Sequence, residues 1–188
     1  MVRWYLILKE TETRIIDIDV NLMRSNLLSI SAEKVKVENQ INNIYDYPDR
    51  RLLNAKGYAR VREVENMLTN KTDYYMTTKK LISQEKYKIM EEHEVEISNG
   101  DEGKNIFISL GLELVQSIKK YRESYKYKNT LIEIDINEKS FCPFPYIEIE
   151  SSNEDELLEV ISLLGYTLKD TTSKSIYEIL DNKRGKGL

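Results

Sequence analysis

The segment Glu10-Thr11-Glu12-Thr13-Arg14 decides how the rest of the chain is interpreted. Apolar residues at 5–8 and 15–16 flank it, so the segment is predicted as part of a β-strand. Alternate side chains of a strand point to the same face, so Glu10, Glu12 and Arg14 share one face. Neighbouring carboxylates raise each other's pKa unless a cation lies between them, and Mg²⁺ prefers such oxygen ligands. Taken alone, the segment is also typical of a solvated strand face.

Length and composition restrict the class of protein. The chain has 188 residues, 40% hydrophobic and 32% charged, which predicts one globular domain over residues 1–181 and a disordered tail at 182–188. The net charge of −4 gives no overall field that would attract nucleic acid or a membrane. The single cysteine, Cys142, excludes an internal disulfide. With no signal peptide or membrane-spanning run in the sequence, a cytoplasmic location is expected.

Alternating segments separated by short polar connections predict about eight antiparallel strands. Amphipathic helices are predicted at 17–30, 103–110, 153–164 and 173–181, and a loop at 98–103. Strands in this number, with helices outside them, predict an α+β fold built on a closed antiparallel β-barrel. Four other basic residues are interpreted as ordinary surface charge: Arg24, Lys34, Lys36 and Arg51.

Charged residues of both signs recur at alternating positions of nearly every predicted strand. They are Glu10, Glu12, Arg14, Arg60, Arg62, Lys79, Glu94, Glu96, Lys120, Arg122, Lys126, Asp135, Glu148 and Glu150. The opposite faces are apolar on several strands and can be covered by helices, so the charged faces are expected to line the barrel interior. Such an interior is costly unless ligands complete it. Because basic side chains suit phosphate and carboxylates suit Mg²⁺ or Mn²⁺, a metal-bound polyphosphate is indicated. Cross-strand salt bridges on a solvated sheet would explain single strands, but not this recurrence.

In their order and spacing, these motifs resemble the CYTH family of triphosphate tunnel enzymes, named from a class IV adenylyl cyclase and thiamine triphosphatase. The resemblance covers almost the whole chain. It is carried by the segments 10–14, 46–49, 60–62, 77–79, 94–96, 120–125, 135, 148–150 and 175–177. One position departs from the family pattern, because Arg14 stands where the family has a lysine.

The resemblance implies a triphosphate-containing small molecule as substrate, such as ATP or tripolyphosphate, and Mg²⁺ or Mn²⁺ as cofactor. It implies catalytic roles for Glu10, Glu12 and Arg14. The phosphate-binding residues would be Arg60, Arg62, Lys79, Lys120, Arg122 and Lys126. The metal-binding residues would be Glu10, Glu12, Glu94, Glu96, Asp135, Glu148 and Glu150.

Three functions stay open from the sequence. The first is a metal-dependent hydrolase of tripolyphosphate, a nucleoside triphosphate or thiamine triphosphate. The second is an adenylyl cyclase that makes cyclic AMP from ATP. The third is a nucleotide or polyphosphate binder without activity, which Arg14 motivates because an arginine cannot lose a proton in a protein. No nucleic-acid or membrane partner is expected, and a homodimer is left open.

Overall fold

A computed structural model describes residues 11–85 and 87–184. Within these residues, eight antiparallel strands form a closed barrel in the order β1-β5-β4-β3-β2-β6-β7-β8. The strands are β1 (Thr11–Ile16), β2 (Glu33–Asp46), β3 (Tyr58–Asn66), β4 (Lys71–Gln84), β5 (Lys88–Ile97), β6 (Glu113–Tyr127), β7 (Thr130–Asn137) and β8 (Tyr146–Ser151). The predicted α+β fold with a closed barrel is therefore confirmed. Glu10, predicted as a catalytic and metal-binding residue, lies outside the described residues.

Five helices lie around the barrel in the described part of the chain. They are α1 (Val20–Ser29), α2 (Arg51–Asn54), α3 (Gly100–Ser109), α4 (Glu154–Leu163) and α5 (Ile176–Arg184). Two bounds differ from the sequence prediction, because α3 begins inside the predicted loop at 98–103 and α5 continues beyond residue 181. None of the helices described is both long and apolar enough to cross a membrane.

The early start of α3 has a local cause. The side chain of Asn99 caps the helix and accepts hydrogen bonds from the backbone N–H groups of Asp101 (2.9 Å) and Glu102 (3.1 Å). Gly103 lies inside the helix, where a Cβ would come within 2.4 Å of the Ile97 side chain. This glycine therefore serves close packing of α3 on the sheet, whereas the sequence pattern suggested a loop.

The largest hydrophobic core lies outside the barrel, under α1 and α4. Met23 and Leu27 of α1 and Leu157 of α4 pack with the outward side chains of β7 and β8, such as Ile132 and Ile147. Each such buried side chain contributes about 1.5–3 kcal/mol. Burial of the apolar faces against helices leaves the alternate, polar positions of these strands on the inside.

A second core closes one end of the barrel. Ile179 and Leu180 of α5 pack with Phe141 and Phe144, which belong to the connection between β7 and β8, and with Tyr146. The register of the sheet then brings distant charges together. Glu12 lies opposite Glu150, Arg14 opposite Glu148, and Arg122 opposite Asp135.

Candidate functional site: a charged tunnel

The barrel encloses a cavity of about 920 Å³, which is lined by residues from all eight strands and from the start of α5. This volume lies within the range of small-molecule sites. The predicted site residues that line the cavity are Glu12, Arg14, Arg60, Arg62, Lys79, Glu94, Lys120, Arg122, Glu148 and Glu150. The structure therefore brings most of the predicted charges into one enclosed space.

Three other predicted residues do not line this cavity. Glu96 and Lys126 are exposed and lie one residue before the ends of β5 and β6, beyond the enclosed part of the barrel. Asp135 is fully buried behind other side chains. Alternation gave the correct face for these residues but could not show how far along the strand the enclosed part extends.

The strands β1, β7 and β8 form an acidic wall, in which Glu12, Glu133, Glu148 and Glu150 line the cavity and Asp135 is buried behind them. Arg122 of β6 binds into this wall. Its Nε and Nη2 donate to the two oxygens of Asp135 at 2.6 Å each, and Nη2 also donates to Glu148 Oε2 at 2.9 Å. Its Nη1 pairs with Glu133.

The partners of Arg122 compensate its charge within the protein. Burial opposes its charge, but Asp135 and Glu133 hold the pKa of Arg122 well above its usual value. Lys120 Nζ also binds Asp135, at 2.9 Å. The predicted phosphate ligand Arg122 thus already has three carboxylate partners within the protein, and Asp135 serves as the buried anchor of two basic side chains.

Arg14 lies between two carboxylates of the acidic wall. Its Nε donates to Glu148 Oε1 at 2.7 Å, and its Nη2 pairs with both Glu12 and Glu148. Its Nη1 donates to the carbonyl oxygen of Lys174 at 3.0 Å. Burial disfavours the charge on Glu148, but Arg14 and Arg122 hold its pKa well below the usual value.

The opposite side is a basic wall, made of Arg60 and Arg62 on β3, Lys79 on β4 and Lys88 on β5. Two acidic residues of β5, Glu92 and Glu94, lie within it, and Glu92 Oε2 pairs with Lys79 Nζ at 2.6 Å. Glu94 accepts hydrogen bonds from Arg62 Nη2 (2.9 Å), Arg60 Nη2 (3.3 Å) and the hydroxyl of Thr77 (2.7 Å). Burial disfavours its charge, but Arg62, Thr77 and Arg60 keep the pKa of Glu94 below its usual value.

Two donors of the basic wall lack partners. The Nε atoms of Arg60 and Arg62 are buried and have no hydrogen-bond acceptor among the described residues. Their side chains are only 10% and 16% exposed. Because an unpaired buried donor of a charged group is costly, these two atoms indicate an anionic ligand with several oxygen acceptors.

Several cavity residues were missed by the sequence analysis. Lys88 Nζ lies 3.9 Å from Glu12 Oε2. Burial and the nearby positive charge of Arg14 lower the pKa of Lys88 to about 8. Glu38 is buried opposite Arg122, and Lys36, interpreted as surface charge, also lines the cavity. The alternation of residues 36–42, all polar at even positions, was the signal that could have found this third side of the tunnel.

The described carboxylates do not form a metal site as they are arranged. Their oxygens are the donors that Mg²⁺ and Mn²⁺ prefer. However, no group of three or more Asp, Glu, His or Cys residues in the described part of the chain is placed to hold a metal ion. The oxygens of Glu148 are bound by Arg14 and Arg122 instead. The metal-binding roles derived from the sequence therefore stay predictions.

A closed barrel of eight antiparallel strands with opposed acidic and basic inner walls defines the triphosphate-tunnel class of fold. A family model described as the CYTH domain matches residues 8–176. The chain therefore belongs to the CYTH family, as its motifs predicted.

Three solved structures illustrate the likeness. A protein of Pyrococcus horikoshii OT3 is 22% identical, with a TM-score of 0.73 over 90% of this chain and 98% of that one. A candidate adenylate cyclase of Vibrio parahaemolyticus is 17% identical, with a TM-score of 0.73 over 92% and 98% of the two chains. A candidate adenylyl cyclase of Hippeastrum, described as having a dominant triphosphatase activity, is 16% identical, with a TM-score of 0.65 over 81% and 84%. At these identities the likeness shows the fold. No curated protein matches the chain.

Proposed function

We propose that the tunnel binds the triphosphate chain of a small molecule and that the protein hydrolyses it with Mg²⁺ or Mn²⁺. The observation that carries this proposal is the pair of buried guanidinium groups of Arg60 and Arg62 on one face of β3, whose Nε donors have no acceptor in the described part of the chain. Two guanidinium groups side by side suit successive phosphoryl groups, because each can donate two parallel hydrogen bonds to phosphate oxygens.

Other basic side chains extend this contact. Lys79 and Lys88 continue the basic wall, and Lys120 lies on another side of the cavity. A triphosphate carries several negative charges in a row, so it can contact cations on more than one strand. Hydrogen-bond donors that hold the leaving phosphate lower the barrier to its departure because they stabilise the charge that develops there.

One of the structural neighbours favours hydrolysis over cyclisation. The Hippeastrum protein, although described as a candidate cyclase, is also described as having a dominant triphosphatase activity. A cyclase needs a pocket that orients the ribose of ATP toward the α-phosphate, and no side chains of the described cavity identify such a pocket. Cyclic AMP formation is therefore the less supported alternative.

Binding without turnover is a second candidate, and Arg14 favours it. The guanidinium of Arg14 pairs with Glu12 and Glu148, two of the carboxylates predicted to hold metal. An arginine keeps its charge and cannot act as a proton acceptor. If catalysis required a free lysine at this position, the tunnel would bind a triphosphate without cleaving it.

Product analysis separates these functions. The full chain is incubated with tripolyphosphate or ATP, with Mg²⁺, with Mn²⁺ and with a chelator, and the products are resolved by chromatography. We expect phosphate release that requires the metal and that is lost in Glu12→Ala and Glu148→Ala. The variant Arg51→Ala is a matched control, because Arg51 is 62% exposed on α2 and pairs with Asp49.

Each outcome has one interpretation. Cyclic AMP from ATP would support the cyclase, and tight binding without any product would support the binder. If neither substrate binds nor reacts, the proposal is wrong. Normal turnover in both carboxylate variants would refute the metal assignment.

A further inference from the structure

Arg14 is fixed on three sides, which is unusual for a residue expected to contact substrate. All of its guanidinium nitrogens have partners: Nε binds Glu148, Nη1 binds the Lys174 carbonyl, and Nη2 binds Glu12 and Glu148. The residue is only 5% exposed. Its donors are therefore used within the protein before any ligand arrives.

The backbone reinforces this arrangement. The N–H of Arg14 donates to the Thr172 carbonyl at 3.0 Å, and the Thr172 N–H donates back to the Arg14 carbonyl at 2.9 Å. The segment just before α5 is thereby paired with β1, and it supplies the Lys174 carbonyl that accepts from the guanidinium. A lysine could not make the same set of contacts, because its donors lie on one nitrogen whereas the guanidinium has a planar fork.

A divalent cation would compete with these contacts. Glu148 binds Arg14 through Oε1 and Arg122 through Oε2, so both oxygens already accept a hydrogen bond from a guanidinium group. Removing one partner from a buried ion pair costs about 3–5 kcal/mol. A bare cation would also be repelled by Arg14, Arg122 and Lys88, which lie around the same carboxylates.

We propose that Arg14 occupies the cation position between Glu12 and Glu148, and that Mg²⁺ or Mn²⁺ enters the tunnel only as a complex with the phosphate chain. The inference rests on the proposed function, because the phosphate chain is what brings the metal. A metal–triphosphate complex keeps a net negative charge, so the basic wall attracts it. In the free protein, in contrast, Glu12 and Glu148 already have Arg14 as their shared cation.

Direct metal binding tests the inference without any measurement of turnover. Mn²⁺ is titrated into the full chain and followed by electron paramagnetic resonance, first alone and then with tripolyphosphate. We expect no stoichiometric binding of Mn²⁺ alone at millimolar concentration, and one-to-one binding of the Mn²⁺–tripolyphosphate complex.

Two variants assign the effect to Arg14. In Arg14→Gln, the two carboxylates lose their shared cation, and Mn²⁺ alone is expected to bind at least tenfold more tightly than to the wild type. Arg14→Lys keeps the charge but not the fork, and a smaller gain is expected. Arg60→Gln is the matched control. Its affinity for Mn²⁺ alone is expected not to increase, because Glu94 keeps Arg62 and Thr77 as partners.

The outcomes distinguish this inference from the proposed function. Stoichiometric binding of Mn²⁺ alone to the wild type would overturn the inference, even if triphosphate is hydrolysed. Absence of any gain in Arg14→Gln would also overturn it; if circular dichroism shows that this variant is unfolded, Arg14→Lys decides. If tripolyphosphate does not bind at all, the proposed function fails, while the titrations with Mn²⁺ alone still report on Arg14.

Discussion

Arg122 and Glu123 are neighbours in sequence on β6, yet they belong to two different charge clusters. Arg122 points into the barrel and pairs with Asp135, Glu133 and Glu148. Glu123 points outward. Its Oε1 accepts a hydrogen bond from Arg24 Nε at 3.1 Å, and its Oε2 pairs with Lys34 Nζ at 2.9 Å. The hydroxyls of two tyrosines complete the outer cluster, Tyr121 at 2.9 Å and Tyr125 at 2.7 Å.

The two clusters differ in what completes them. In the outer cluster, Glu123 is one buried acid paired with two cations. The Arg24 and Lys34 side chains are 36% and 41% exposed, so they also contact water. Inside the barrel, an acidic wall faces a basic wall across open volume, and two guanidinium donors lack acceptors among residues 11–85 and 87–184. Buried charge alone therefore does not mark a ligand site. The proposed ligand site differs in that its unpaired donors lie next to an enclosed space, whereas the outer cluster ties α1 and β2 to β6.

Removal of Glu148, the carboxylate that Arg14 and Arg122 share inside the barrel, should have the greatest effect, a loss of stability. In Glu148→Ala, Arg14 and Arg122 each lose a partner, although Arg122 keeps Asp135. The free energy of unfolding should fall by about 3 kcal/mol, the lower end for a broken buried ion pair. Urea denaturation measures this value. A loss below about 1 kcal/mol would show that the inner network behaves like surface charge, and the contrast between the clusters would not hold.

The next effect concerns ligand binding by the basic wall. Removal of one charged hydrogen-bonding side chain costs about 1.5–3 kcal/mol, so Arg60→Ala should weaken tripolyphosphate binding by about 10- to 100-fold. Isothermal titration calorimetry measures the affinity. Arg51→Ala, on the exterior, should bind like the wild type. An unchanged affinity in Arg60→Ala would remove Arg60 from the site.

A smaller effect is expected from the outer cluster. Glu123→Gln keeps the shape of the side chain but removes its charge, and Arg24 and Lys34 can turn to water. The free energy of unfolding should fall by about 1–2 kcal/mol, and tripolyphosphate affinity should not change. If the affinity falls as it does in Arg60→Ala, the two clusters are not independent.

The smallest effect is a pH dependence of stability. Burial opposes the charge of Glu123, but hydrogen bonds from Arg24, Tyr125 and Lys34 lower its pKa from 4.5 to about 2. A lowered carboxyl pKa means that the stabilisation is present above pH 4.5 and is lost as the pH falls toward about 2. Thermal denaturation between these pH values should therefore show a smaller loss of stability for Glu123→Gln than for the wild type. Equal losses would contradict the assigned role of Glu123.

The sequence predicted the barrel and most of its inner residues because alternation shows which side chains share a face of a strand. Since helices can cover the apolar faces, the charged faces were expected inside the barrel. It could not predict the partners. Arg122 was expected to bind phosphate, but the register places it opposite Asp135. Lys126 and Glu96 lie on the predicted faces of their strands but too near the ends of β6 and β5 to line the cavity.

The outer cluster was invisible from sequence for a physical reason. Glu123 is a charged residue among tyrosines on the apolar face of β6, and its partner Arg24 lies 99 residues away. Arg24 and Lys34 were interpreted as surface charge, because only the packing of α1 and β2 against β6 brings them to Glu123. Contacts of this kind depend on tertiary structure, which no local pattern records.

A crystal structure of the full chain with tripolyphosphate would locate the ligand relative to the two walls of the barrel. We expect phosphate oxygens within hydrogen-bonding distance of the guanidinium groups of Arg60 and Arg62, inside the barrel between the basic and acidic walls. Tripolyphosphate bound on the outer surface, or a barrel that stays empty at saturating ligand, would contradict this expectation.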